Sequence, residues 1–378
     1  MNFVAFRMLT GDRAKYIGLI FAIAFSTFLL ENQTSIFANI MKRTGHQVLD
    51  VTDADVWVMD PKTRYFDETK AMKDTDLTRV RGVEGVDYAV RLFKGTPVAR
   101  TLDGKFAACT VLGLDESTLL GAPRRILMGS WQGLASPHKI VIDKAGYLML
   151  FPGEPLRLGG MLEINDHRVE IAGISDALPA FTSFPIIHAR YGEALEFQGR
   201  QRLQLSFVLA RARQGITPEQ LAQRITGSTG LRARTALEFM WDCVGYYMKN
   251  TGIPVNFGIT IAVATIVGLV VSGQTFYMFT VENLKQFGAL KAIGVTNWRL
   301  LGMILFQALI VWFIGYSLGT GLAAVFFNIT MNAVATRHIV LMWQSAFGVA
   351  IFMLLVVLLS SVMSLRRVLV LEPATVFR

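Results

Sequence analysis

Three stretches in the last third of this chain carry no lysine, arginine, aspartate or glutamate: those between Lys249 and Glu282, between Arg299 and Arg337, and between Arg337 and Arg366. Each exceeds the ~20 residues that an α-helix needs to cross a bilayer. A backbone entering hydrocarbon must satisfy its own N–H and C=O groups, so such runs fold as spanning helices. A fourth apolar run, Tyr16 to Leu30, follows Arg7, Arg13 and Lys15. No A-x-A cleavage site comes after it. The pattern instead continues through Ile36, Phe37, Ile40 and Met41, which reads as a retained first span with an amphipathic extension rather than a removed signal peptide. Composition agrees, since 52% of the 378 residues are hydrophobic and 17% charged, a balance unusual for a soluble protein.

From Lys42 to Asn250 the texture changes. Short alternating or β-branched runs appear, such as Val56 to Met59, Ala107 to Leu112, Lys139 to Ile142 and Arg168 to Ile174, separated by Gly, Pro and Asp turns. The expected fold class is an α-helical membrane protein with four transmembrane helices plus a mixed α/β extracytoplasmic domain inserted between helices 1 and 2. In order, the expected segments are 1–15, cytoplasmic; 16–41, the first span with its extension; 42–250, the α/β domain; 251–279, the second span; 280–299, a cytoplasmic helix; 300–327, the third span; 328–342, a short outer loop; 343–365, the fourth span; and 366–378, a cytoplasmic tail.

Orientation follows from the short flanks, where lysine and arginine are retained on the cytoplasmic side. Arg7, Arg13 and Lys15 flank the first span, Lys285, Lys291 and Arg299 lie between spans two and three, and Arg366, Arg367 and Arg378 follow the fourth. Only Arg337 lies between spans three and four. Both termini and the segment between spans two and three are therefore expected in the cytoplasm and the α/β domain outside.

Several chemistries find no support. The net charge of +9 is scattered, with no basic run interleaved with aromatics, so no nucleic-acid partner is expected. The five histidines, His46, His138, His167, His188 and His338, show no i, i+3 or i+4 pairing, and no metal site is expected. Cys109 and Cys243 could pair outside the membrane or stay as two thiols. No G-x-x-x-x-G-K-[ST] loop occurs, so nucleotide phosphates have no cradle in this chain. Gly315-Tyr316-Ser317-Leu318-Gly319 matches a nucleophile elbow on paper. It sits inside an apolar run and reads better as G-x-x-x-G, with Gly315 and Gly319 letting helices approach closely within the chain or across a dimer. Glu31, an ionisable group near the outer end of the first span, either serves a function or reaches the interface. Tyr246 and Tyr247 precede the second span as part of an aromatic belt. These three are candidate contacts for an amphipathic substrate or membrane lipid.

The most telling stretch is Thr280 to Arg299, TVENLKQFGALKAIGVTNWR. Leu284, Phe287, Leu290 and Ile293 recur every three residues and form one apolar stripe, whereas Lys285, Gln286 and Lys291 keep other faces polar. Thr280 and Glu282 favour a helix start, Gly294 suits a left-handed stop, and Thr296 or Asn297 can cap the next helix. Glu282, Gln286, Phe287, Gly288, Leu290, Lys291, Ala292, Ile293 and Gly294 resemble the coupling-helix signature of the MacB/FtsX superfamily of ABC transporter permeases. Asn283 and Gln286 depart from it, where the family often carries a basic residue and Glu. Val111 to Asp115 and Pro155 to Ile174 resemble the outer domain of the same permeases, and Ala54 to Pro61 resembles that of their DevC-like and HrtB-like subgroup.

The resemblance implies a non-catalytic multi-pass subunit of the bacterial cytoplasmic (inner) membrane working with a separate ABC ATPase and a second copy of itself, with a periplasmic adaptor and outer-membrane channel as further partners in a double-membraned host. Glu282, Leu284, Phe287, Gly288, Leu290, Lys291 and Gly294 would couple to the ATPase, which would hold ATP and magnesium; no cofactor is expected in this chain. The implied activity is mechanotransmission that expels haem, a glycolipid or a toxic amphipathic compound. The alternative is a regulator of an envelope enzyme that moves no substrate. A topology reporter fused near Gly199 should be active only outside the cytoplasm, and one fused after Arg378 only inside; cytoplasmic activity at Gly199 overturns the orientation.

Overall fold

The computed structural model describes residues 2–370 except positions 12, 124, 183, 200–204 and 331–338. The chain forms two compact units, a helical one drawn from residues before Ile40 and after Thr251, and an α/β one, Ile40–Thr251. Helices α1 (Asn2–Gly11) and α2 (Arg13–Asp50) come first. The α/β unit continues with β1 (Val56–Met59), α3 (Asp74–Arg81), β2 (Val86–Gly95), β3 (Val98–Thr101), β4 (Phe106–Ala108), β5 (Thr110–Leu114) and β6 (Ile126–Gly129). After a 3-10 turn (Trp131–Ala135) follow β7 (Lys139–Asp143), α4 (Lys144–Leu150), β8 (Met161–Ile164), β9 (His167–Ser175), β10 (Ile186–Arg190) and α5 (Tyr191–Phe197). The unit ends with β11 (Phe207–Ala212), α6 (Pro218–Thr229), β12 (Arg232–Thr235) and α7 (Ala236–Asn250). Helices α8 (Ile253–Glu282), α9 (Leu284–Ala292), α10 (Asn297–Thr330) and α11 (Trp343–Val370) complete the described chain.

Four of these helices, α2, α8, α10 and α11, are long and apolar enough to cross a membrane. The helical unit is arranged for an apolar solvent. On α8, Val255, Ile259, Val263, Ile266 and Val270 form an outward stripe and are all more than half exposed. On α11, Phe347, Ile351, Leu355 and Leu359 form a second exposed stripe at four-residue spacing. The interior holds Ser26, Thr27, Glu31, Ser35, Asn39, Ser272, Gln307 and Ser361 beside Leu19, Ile23, Ala308, Val311 and Met353. In water this distribution would leave a large apolar surface bare; in lipid it is the favourable one.

Helix contacts here are short-range. A Cβ on Gly319 would come within 2.5 Å of the Ala24 carbonyl oxygen and 2.7 Å of Thr27 Cβ, and one on Gly315 within 2.8 Å of Ile23 Cβ. The G-x-x-x-G pair thus seats α10 on α2 inside one chain. Between them, the Ser317 hydroxyl donates to the Phe313 carbonyl at 2.7 Å, an ordinary helix back-bond and no nucleophile elbow.

Several boundaries differ from the sequence-based expectation. The first long helix runs past Met41 to Asp50; its 38 residues span about 57 Å, so roughly half suffices for the bilayer. Residues 1–15 contain α1, and α8 continues to Glu282. Most of the expected outer loop 328–342 lies outside the described residues, as do Arg337, His338 and the tail from 371.

In the α/β unit the strands run in the order β12-β1-β11-β2-β5-β10-β7-β9-β8-β3-β4, with β6 on β9. β5–β10 and β7–β9 pair in parallel, the remainder antiparallel. Both faces of β1 are covered. Val56 and Val58 join a core under α3 and α6, while Trp57 and Met59 join another that includes Phe66, Phe207 and Phe239. Trp57 lies 5.3 Å from the Phe207 ring and 5.9 Å from Phe66. Local signals fix the helices: Thr217 with Gln220 and Thr235 with Glu238 make capping boxes on α6 and α7. Cys109 and Cys243 are buried in different cores and unpaired.

The environments of half-buried Asp50 and buried His188 in this unit have opposite effects on stability. Burial pushes the Asp50 carboxyl up to about 7 despite the Leu178 N–H donated to it at 2.7 Å, and Asp176 and Asp143 push the same way. Burial pushes His188, edge-on to Trp131 at 5.4 Å, down to about 3. Between about pH 4 and 7 folded Asp50 keeps a proton that the unfolded chain has lost, so stability falls as pH rises. Between about pH 3 and 6.5 unfolded His188 holds a proton that the folded state refuses, so stability rises with pH. The two slopes offset near pH 4–6.5. Relative to wild type in residues 40–251, Asp50→Asn should therefore make stability rise with pH, and His188→Phe should make it fall, each by up to about 1.4 kcal/mol per pH unit. Denaturant titrations across that window test this, and unchanged slopes in both variants refute it.

Candidate functional site

The stretch from Glu282 to Trp298 folds as a closed knuckle joining α8 to α10. α8 ends at Glu282, Asn283 breaks the helix, and α9 starts at Leu284, later than Thr280 and Glu282 suggested. Its C-terminus has two defining bonds: Gly294 N–H to Lys291 O at 3.0 Å and Val295 N–H to Leu290 O at 3.1 Å. This is a Schellman closure, and it requires the φ of +95° that Gly294 adopts. Val295 and Leu290 pack in the same cluster, completing the motif. The N–H groups of Arg299 and Leu300 then bond the Thr296 carbonyl at 3.0 and 3.1 Å as α10 begins.

The apolar stripe does not stay together. Phe287 is 0% exposed and is enclosed by Ala5 of α1 and by Leu300, Met303 and Ile304 of α10. Gly288 is buried and Leu290 half-buried. Ile293, at the far end, is 82% exposed. The single outward stripe expected from the three-residue repeat is thus corrected: Phe287 anchors the knuckle to its own chain, because α1 supplies a surface that the sequence reading left out. The Gln307 amide, buried in α10, donates to the Ala5 carbonyl at 2.7 Å and holds α1 there.

What the knuckle presents outward is Ile293 and Trp298, both 82% exposed; Lys285 and Gln286, in the first turn of α9, are exposed as well. A cleft of about 580 Å³ opens between α1 and the start of α9, lined by Phe3, Arg7, Gly11, Glu282, Asn283 and Gln286. Trp298 was not among the residues singled out from the sequence. An aromatic between Asn297 and Arg299, where no span has yet begun, was the available signal.

The other candidates lie elsewhere. Glu31 is fully buried in the helical unit. Tyr246 and Tyr247 belong to the α/β unit: Tyr246 stacks on Tyr65 at 3.8 Å, with the Arg64 guanidinium 4.9 Å over its ring. Tyr247 donates to Asp67 at 3.2 Å and packs on Phe181 at 4.4 Å. Among the described residues no cluster of His, Cys, Asp or Glu could hold a metal ion.

A second concavity in the helical unit has a volume of about 240 Å³. Leu30, Ile261, Val349 and Phe352 make its apolar wall, and Thr34, Thr265 and Ser345 set hydroxyls along it.

Residues 258–373 match the family model described as FtsX-like permease C-terminal. No curated protein matches the chain. Among solved structures, the extracellular domain of the noncanonic ABC-type transporter YknZ from Gram-positive bacteria is 14% identical, covering 48% of this chain and 98% of that one, with a TM-score of 0.36. The periplasmic region of MacB from Actinobacillus actinomycetemcomitans is 11% identical, covering 54% and 96%, with a TM-score of 0.38. The family match spans most of α8, the knuckle, α10 and α11, and over these elements the chain is similar to the C-terminal domain of FtsX-like permeases.

Proposed function

We propose that the chain is the export permease of a complex in which a separate ATPase docks on the knuckle and drives the spanning helices. The observation that carries this reading is the division of the knuckle's apolar residues. Phe287 ties it rigidly to α1 and α10, while Ile293 and Trp298 are left bare on a turn locked by Gly294. A partner that covers Ile293 and Trp298 gains roughly 1.5–3 kcal/mol for each apolar side chain buried. Its displacement then passes into α10 through packed side chains rather than through a loose loop. The sequence has no phosphate loop, so ATP and its magnesium ion belong to that partner. The membrane-side groove of apolar wall and hydroxyls fits an amphipathic cargo with an acyl or ring portion. On this reading the knuckle and both termini are cytoplasmic, and the permease works as a pair of chains.

Two measurements test this. Trp298→Asp and Ile293→Asp should abolish co-purification of the ATPase while the purified permease keeps its melting temperature. Phe287→Ala should instead destabilise the permease itself, by about 3–5 kcal/mol on the scale of buried aromatic truncations. If Trp298→Asp and Ile293→Asp both retain the ATPase as wild type does, the docking face is wrong. Reconstituted in liposomes, the complex should move an amphipathic probe in an ATP-dependent way; hydrolysis without any redistribution would identify a regulator instead.

A further inference from the structure

One titratable side chain of the helical unit plays no part in the knuckle. Glu31 of α2 is 0% exposed. Thr320 of α10 donates its hydroxyl proton to Oε1 at 2.7 Å, whereas Oε2 has no hydrogen-bond partner. Tyr316, one turn earlier on α10, flanks the carboxyl. Its own hydroxyl proton goes to the Ala346 carbonyl of α11 at 3.0 Å, so towards Glu31 that oxygen can only accept. Thr27 and Ser35, one turn either side of Glu31, are fully buried and their hydroxyl oxygens are without partners.

Charge makes the arrangement decisive. Over residues 16–41, 253–281, 300–330 and 343–361 there is no lysine, arginine or histidine, and the titratable groups other than Glu31 are Tyr16, Tyr277 and Tyr316. No counter-charge therefore faces the carboxyl from these stretches of α2, α8, α10 and α11. A carboxylate here would be buried in hydrocarbon with a single donor, an unfavourable state. A carboxylic acid keeps the Thr320 bond to Oε1 and leaves no charge on Oε2.

We propose that Glu31 is a proton-binding site where α2, α10 and α11 meet, its acid form held by the Thr320 hydroxyl beside the Tyr316 bond to the Ala346 carbonyl. When these helices part and water enters, the O–H bond of the acid breaks heterolytically and the proton passes to water, leaving a hydrated carboxylate. Repacking takes one proton back. Each cycle of the helices thus releases and rebinds one proton per chain, whatever the cargo and whether or not the ATPase reading holds.

Infrared difference spectroscopy of the full-length protein in phosphatidylcholine nanodiscs tests this, in an Asp50→Asn background so that Asp50 does not contribute. Near neutral pH the expected result is a protonated-carboxyl C=O band that shifts in D2O, is lost in Glu31→Gln, and is unchanged when sodium replaces choline. Thr320→Val, which removes the donor to Oε1, should move the band to higher frequency and so assigns it even if Glu31→Gln folds poorly. Absence of the band, or a band insensitive to both substitutions, overturns the proposal. Loss of the band on adding sodium overturns it in favour of a monovalent-cation site.

Discussion

The helical unit depends on one constraint: its solvent is as apolar as its own side chains. Leucine gains nothing by leaving lipid for a protein interior, so the helices are not pushed together as they would be in water. What holds them is close backbone approach and hydrogen bonding away from lipid. Gly315 and Gly319 provide the first, letting α10 settle on Ile23, Ala24 and Thr27. Gln307 to Ala5, Asn39 to Val340, Trp312 to Ala350 and Tyr316 to Ala346 provide the second. Each joins a side chain to a backbone carbonyl outside its own helix, which fixes rotation as well as distance.

That frame gives the knuckle its stiffness. A turn of this kind in water would fray, because α9 has only nine residues, too few for independent stability. Here Phe287 plugs it into α1 and α10 and Gly294 closes its end. Apolar surface remains exposed at Ile293 and Trp298 because the internal contacts are satisfied by Phe287, Leu290 and Val295. The division of labour is between a residue that holds the turn and residues that offer it.

Much of this was legible in the sequence, and the limits have physical causes. The uncharged runs marked the spans, since length against bilayer thickness leaves little choice. Gly294 was readable as a left-handed stop, because few other residues tolerate that conformation. The strand at Val56 was legible from its β-branched pattern, and the extension of α2 to Asp50 was not, since polar helix and polar loop look alike at that point. The face of Phe287 was unreadable for a different reason. A three-residue repeat gives a stripe but says nothing of which end is covered, and the covering helix α1 lies almost three hundred residues away in sequence. Glu31 was visible as an oddity; its donor Thr320 and its neighbour Tyr316 come from another helix, and only the fold brings them together.

The placement of β1 has a consequence for how the protein is made. β1 is among the first parts of the α/β unit to be synthesised, and all four of its residues are buried. Its partners on both sides, β11 and β12, are the last two strands of that unit. Until residues 207–235 have emerged, Val56, Trp57, Val58 and Met59 have nothing to pair with and present an apolar edge. Loop closure over such a sequence separation is slow, and an unpaired hydrophobic strand is a template for aggregation while it waits. The newly made chain therefore passes through an interval in which its sheet cannot be completed, and a holding chaperone at the site of synthesis would find β1 as its natural target.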